Sequence, residues 1–125
     1  MKNYTFRYTK DGETYLTGGY GRTAEEALEH ERFWWPELPS IDQMELKLVE
    51  DVSISEEEAY GEERFLKALW ASKEAKDAAK AKVAGCGACE SDKEWMREII
   101  DSEEPQRFMF ADTAVREWLI DTCKG

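Results

Sequence analysis

Apolar and polar positions alternate at the start of the chain. Tyr4, Phe6 and Tyr8 interleave with Asn3, Thr5, Arg7 and Thr9, the period of two that marks a strand with one buried face. Lys10-Asp11-Gly12 carries the Asp-Gly pair suited to a tight hairpin, and Glu13 to Thr17 returns as a second strand. Gly18-Gly19-Tyr20-Gly21 interrupts the alternation and reads as a flexible bend. Thr23-Ala24-Glu25-Glu26 then has the form of a capping box, so a helix is expected from there to about Trp35, closed by Pro36 and Pro39. Met44, Leu46 and Leu48 alternate with polar neighbours between Gln43 and Glu50, which predicts a third strand.

Beyond Asp51 the pattern becomes helical. Ser55-Glu56-Glu57-Glu58 is a second capping box, no proline follows as far as Ala84, and Gly61 is the one glycine in that span. One long helix is therefore expected, with a bulky stripe at Phe65, Leu66, Leu69 and Trp70. Its second half offers the small residues Ala71, Ala75, Ala78, Ala79, Ala81 and Ala84. Gly85 is expected to end it in a left-handed conformation. Ser91-Asp92-Lys93-Glu94 reads as a third capping box, opening a helix whose core face is Trp95, Met96, Ile99 and Ile100. Glu103-Glu104-Pro105 is a break, Phe108-Met109-Phe110 an apolar connection, and Asp112 a cap for a last helix through Val115, Trp118, Leu119 and Cys123.

The resulting expectation is an α+β fold. An N-terminal ββαβ part with a small antiparallel sheet precedes a C-terminal helical part made of one long helix and two shorter ones. At 125 residues the chain suits a single domain, with a strand-rich half over 1–50 and a helical half over 51–125 sharing one core. No apolar run approaches the roughly 20 residues of a membrane-spanning helix, and the first residues lack a signal-peptide core, so a cytoplasmic protein without membrane contact is expected.

Charge changes the picture most. With 28 acidic and 17 basic residues the formal net charge is −11, which opposes direct binding to nucleic acid and favours a basic partner. The seven carboxylates Glu50, Asp51, Glu56, Glu57, Glu58, Glu62 and Glu63 follow one another without an intervening Lys or Arg. A second group, Glu90, Asp92, Glu94, Glu98, Asp101, Glu103 and Glu104, contains only Lys93 and Arg97 as cations. Dipole matching accounts for Glu56 to Glu58 but leaves Glu62 and Glu63 without an evident cationic partner. Spaced carboxylates of this kind can copy the charge pattern of a nucleic-acid backbone. The adjacent Phe33, Trp34 and Trp35 span most of a helical turn, so Trp34 or Trp35 is a candidate exposed anchor.

Catalytic chemistry is thinly represented. Cys86-Gly87-Ala88-Cys89 has the spacing of half a metal site, but a structural zinc takes about four ligands and only His30 and Cys123 remain as soft donors. A dithiol enzyme would place such a motif after a strand, and here an alanine-rich helix precedes it. His30 lies four residues after Glu26, a spacing that lets a carboxylate orient an imidazole, yet no nucleophile motif accompanies the pair, and a rim histidine is the simpler expectation. The glycines at 18, 19 and 21 match no phosphate-binding fingerprint.

The expected function is a small acidic, non-enzymatic binding protein without a cofactor. It would inhibit a larger basic partner, such as a nucleic-acid-binding effector, by covering its surface with Glu50, Asp51, Glu56, Glu57, Glu58, Glu62, Glu63, Glu98, Asp101, Glu103, Glu104, Trp34 and Trp35. In size, charge and lack of a catalytic motif the chain is similar to the inhibitors that phages and mobile elements use against host defence, such as anti-CRISPR proteins. That likeness is one of general character and transfers no residue roles. The alternative is a structural or adaptor protein that forms a homodimer through the alanine-rich helix and the aromatic cluster. A Cys86/Cys89 metal or dithiol protein is the third.

Overall fold

A computed structural model describes residues 1–124 and has an α+β fold. Its elements run β1 (Lys2–Lys10), β2 (Glu13–Gly21), α1 (Ala24–Trp34), a 3₁₀ turn (Ile41–Gln43), β3 (Glu45–Asp51), α2 (Glu56–Leu69), α3 (Lys73–Ala84), α4 (Glu90–Ser102), α5 (Pro105–Met109) and α6 (Thr113–Lys124). The chain divides into two compact units, Met1–Glu63 and Arg64–Gly125. The division falls inside α2 rather than at the composition shift near Asp51.

The first unit is built on an antiparallel sheet of order β2-β1-β3. The β1–β2 hairpin turns at Asp11 and Gly12, both with positive φ (53° and 80°), as the Asp-Gly pair predicts. β3 pairs with β1 through a bulge: Thr5 faces Leu48 while Phe6 faces Leu46. Tyr4 and Phe6 are buried against Ala27 and Leu28 of α1, with Ala24, Ile41 and Met44 at the margin. Leu46, Leu48 and Val49 of β3 stay exposed.

The glycines at 18, 19 and 21 do not form a bend. They belong to the last part of β2, where Gly19 and Gly21 admit the helix. A Cβ at Gly21 would stand 2.6 Å from the Ala27 backbone nitrogen, and one at Gly19 would stand 2.9 Å from the Ala27 carbonyl oxygen. Strand and helix backbones meet so closely that no side chain fits between them. Thr23 then caps α1 as expected, its Oγ1 accepting from the Glu26 amide at 3.1 Å.

In the second unit the expected long helix is two. α2 stops at Leu69, and Ser72 begins α3 as an N-cap, its Oγ accepting from the Ala75 amide at 3.0 Å. The break is supported from outside the helix, because the Trp70 indole N–H donates to the Ile99 carbonyl at 3.3 Å. Ala79 and Val83 are the buried positions of α3, which packs on α4 and α6, while Ala78, Ala81 and Ala84 face outward. Met96, Ile99, Ile100, Phe108, Val115 and Leu119 fill the core of this unit together with Leu66.

Three further expectations are corrected here. Gly85 ends α3 with φ −91° and ψ −1°, so it is not left-handed, and the left-handed helix end is Glu103 after α4, with φ 52°. α4 starts two residues earlier than its capping box predicts, with Cys89 rather than Ser91 as N-cap and no side-chain cap bond. The apolar stretch after Pro105 contributes to a short helix, α5, with proline at its first turn, where a missing N–H costs nothing.

Candidate functional site

Of the carboxylates expected at a partner surface, Glu50, Asp51, Glu57, Glu58 and Glu62 are exposed, and Glu56 is half-buried in an ion pair with Arg22. Asp51 has Lys2 at 3.9 Å. Glu63 is not a surface group: it is 3% exposed, and its carboxylate is engaged by His30. The second acidic group, apart from half-buried Asp92, is exposed, and much of it is neutralised in place. Asp101 pairs with Lys80, Glu103 with Lys76 at 3.4 Å, and Glu104 with Arg107 at 3.0 Å; Glu98 is exposed. Trp34 and Trp35 are both half-buried, so neither stands out as an anchor.

The division of the chain sharpens this contrast. Sixteen acidic and six basic residues lie in Met1–Glu63, a formal −10, whereas Arg64–Gly125 holds twelve and eleven, a formal −1. Nearly all of the net charge therefore belongs to the sheet-bearing unit.

Within that unit a pocket of 310 Å³ lies along the β2 edge, between α1 and the start of α2. It is lined by Asn3, Gly18, Gly19, Tyr20, His30, Glu31, Trp34, Ala59, Tyr60 and Glu63. Each polar group arrives on a regular element. His30, Glu31 and Trp34 come from α1, and Tyr60 and Glu63 sit one turn apart on α2.

His30 Nδ1 lies 3.0 and 2.9 Å from the two oxygens of Glu63. The carboxylate accepts, so Nδ1 carries the proton and Nε2 is the basic nitrogen of the neutral ring. The imidazole also stacks on Tyr60, with centroids 3.7 Å apart. The Tyr60 hydroxyl donates to the Tyr20 carbonyl at 2.8 Å, satisfying an acceptor of the edge strand, and lies 3.3 Å from Glu26 Oε1. Desolvation, with Glu26 nearby, pushes the Tyr60 phenol up to about 12.

Glu31 differs from its neighbours. No hydrogen bond or ion pair reaches its carboxylate among the described residues, and burial pushes its carboxyl up to about 7. Its Oε2 would lie 3.3 Å from a Cβ at Gly19, which places the carboxylate directly over the strand backbone.

The Glu63–His30 pair supplies an oriented base, but among the described residues no Ser, Thr, Cys or Lys lines the pocket to serve as a nucleophile. Nor do any three His, Cys, Asp or Glu side chains among the described residues converge as a metal site. The cysteine motif does not close on itself. Cys86 lines a groove in the second unit beside Trp118, while exposed Cys89 lies 3.3 Å from Ser91 Oγ. Cys123 is half-buried, and burial raises its thiol pKa.

The His30–Glu63 contact is hidden in the linear sequence, where Glu63 stands among charged neighbours although its helix face is a buried one. Tyr60, Glu63 and Leu66 recur every three residues and are all buried. That spacing was the available signal. No protein-family model, curated protein or solved structure matches this chain, and no helix among the described residues is long and apolar enough to cross a membrane.

Proposed function

We propose that the Met1–Glu63 unit is a docking module that inhibits a larger basic protein by covering its basic surface. The surface of a nucleic-acid-binding effector, of the kind that anti-defence inhibitors such as anti-CRISPR proteins block, is the preferred target. The observation that carries this reading is the charge of −10 on a 63-residue unit whose Glu50, Asp51, Glu57, Glu58 and Glu62 are all exposed. Such a field attracts a basic partner from a distance and repels nucleic acid. The mechanism is steric occupation, without chemistry. Glu98, Asp101, Glu103 and Glu104 leave the contact set, since they belong to the nearly neutral unit and most are already paired.

The homodimer reading has less behind it. Its aromatic half is half-buried, with Trp34 lining the pocket, and two chains with this charge repel each other.

The test is capture from a cell extract at low salt, with stepped elution, using the native chain and a variant carrying Glu50→Lys, Glu57→Lys, Glu58→Lys and Glu62→Lys. Retention of basic proteins by the native chain alone, lost as salt rises, is expected. Equal retention by the variant, or no specific retention by either, overturns the proposal.

A further inference from the structure

The β2-edge pocket has an acceptor-rich lining. His30 Nε2 is the ring's acceptor once Glu63 holds Nδ1–H, and the Glu31 carboxylate has no donor directed at it among the described residues. The Tyr60 hydroxyl, which could have donated into the pocket, is committed to the Tyr20 carbonyl. Among the described residues no Lys or Arg lines the pocket, so its carboxylates face no cationic side chain there.

This chemistry narrows the ligand. Two carboxylates in a unit of charge −10 disfavour an anion. A divalent metal has no set of three converging ligands among the described residues. The aromatic residues Tyr20, Trp34 and Tyr60 line the same space, and aromatic side chains attract organic cations. A volume of 310 Å³ is at the small end of ligand sites, enough for one charged head and its aliphatic stem.

We infer that the pocket lined by His30, Glu31, Trp34 and Tyr60 binds an alkylammonium or guanidinium group, held by the Glu31 carboxylate and His30 Nε2. In the docking module this group is a Lys or Arg side chain of the partner. The inference deepens the docking reading by naming one of its contacts, and rests on it only for the source of the cation.

His30 is the single histidine of the chain, so its ring protons give an unambiguous NMR signal for the site. The native protein is titrated at pH 8 with Nα-acetyl-lysine amide and with Nα-acetyl-arginine amide, and with Nα-acetyl-norleucine amide as the uncharged control. A saturable shift of the His30 signals by at least one cationic amide, absent with norleucine, is expected. Glu31→Gln should raise the Kd about tenfold, the loss of one charge-assisted contact. Glu29→Gln, at an exposed position two residues away, should leave it unchanged.

A shift that does not saturate, an equal response to norleucine amide, or equal weakening by Glu29→Gln and Glu31→Gln overturns the inference. The two proposals also fail separately. Binding of a cationic amide by a chain that captures no basic protein sinks docking alone, and capture by a chain that ignores the amides sinks the pocket alone.

Discussion

His30 and Tyr60 lie ring on ring, 3.7 Å between centroids and 18° from parallel, although one belongs to α1 and the other to α2. The contact joins two helices that β3 separates along the chain. Glu63 fixes the histidine from one side, and the Tyr60 hydroxyl reaches past it to the Tyr20 carbonyl on the edge strand. Three elements thus meet at a polar junction in which each buried group has a stated partner.

Tyr60→Phe keeps the stack and removes the 2.8 Å hydrogen bond to Tyr20. The edge carbonyl then loses its donor, and the unfolding free energy should fall by about 1–2 kcal/mol. Urea denaturation of the two proteins at one pH measures this. An unchanged midpoint and slope would mean that water replaces the hydroxyl without loss.

Glu31 makes stability depend on pH in a definite direction. In the folded chain its carboxyl keeps a proton to about pH 7, whereas the unfolded chain releases it near 4.5. Ionisation of this group therefore opposes folding progressively between pH 4.5 and 7, and the penalty is fully present above 7. Glu31→Gln should leave stability near its native value at pH 4 and raise it by about 1–3 kcal/mol at pH 8. Urea titrations at the two pH values would show this, and an equal effect at both would refute the assignment.

Gly21→Ala places a methyl 2.6 Å from the Ala27 backbone nitrogen, and backbone on both sides leaves neither element free to yield alone. A destabilisation of about 3 kcal/mol or more is expected, at the upper end of overpacking costs. Gly12→Ala supplies a contrast, since nothing stands within 4 Å there and only the φ of 80° is strained. Thermal denaturation should rank Gly21→Ala well below Gly12→Ala, and the reverse order would show that the strand and helix can separate.

Local signals made the first unit legible. Alternation at Tyr4, Phe6 and Tyr8, the Asp11-Gly12 turn and the Thr23 cap each act within a few residues, and each appears where expected. The second unit was less legible because its breaks depend on distant groups. Nothing near Ser72 forbids a continuous helix; the Trp70 bond to Ile99 lies 29 residues away in sequence. The pocket was hidden for the same reason. His30 has Glu26 one turn earlier, but the carboxylate it meets is 33 residues on, and Glu31 looks like any other acidic residue until the sheet and α2 surround it.

The close approach of β2 and α1 also sets a rule for descent. A lineage that keeps this geometry can exchange its surface charges and resize its core, but at positions 19 and 21 it has no alternative to a residue without a Cβ. Gly19 and Gly21, followed by the helix cap at Thr23 and the small Ala27, form a nine-residue pattern tied to backbone contact rather than to chemistry. Kinship with this chain would remain readable in that pattern after the acidic surface had drifted to another partner.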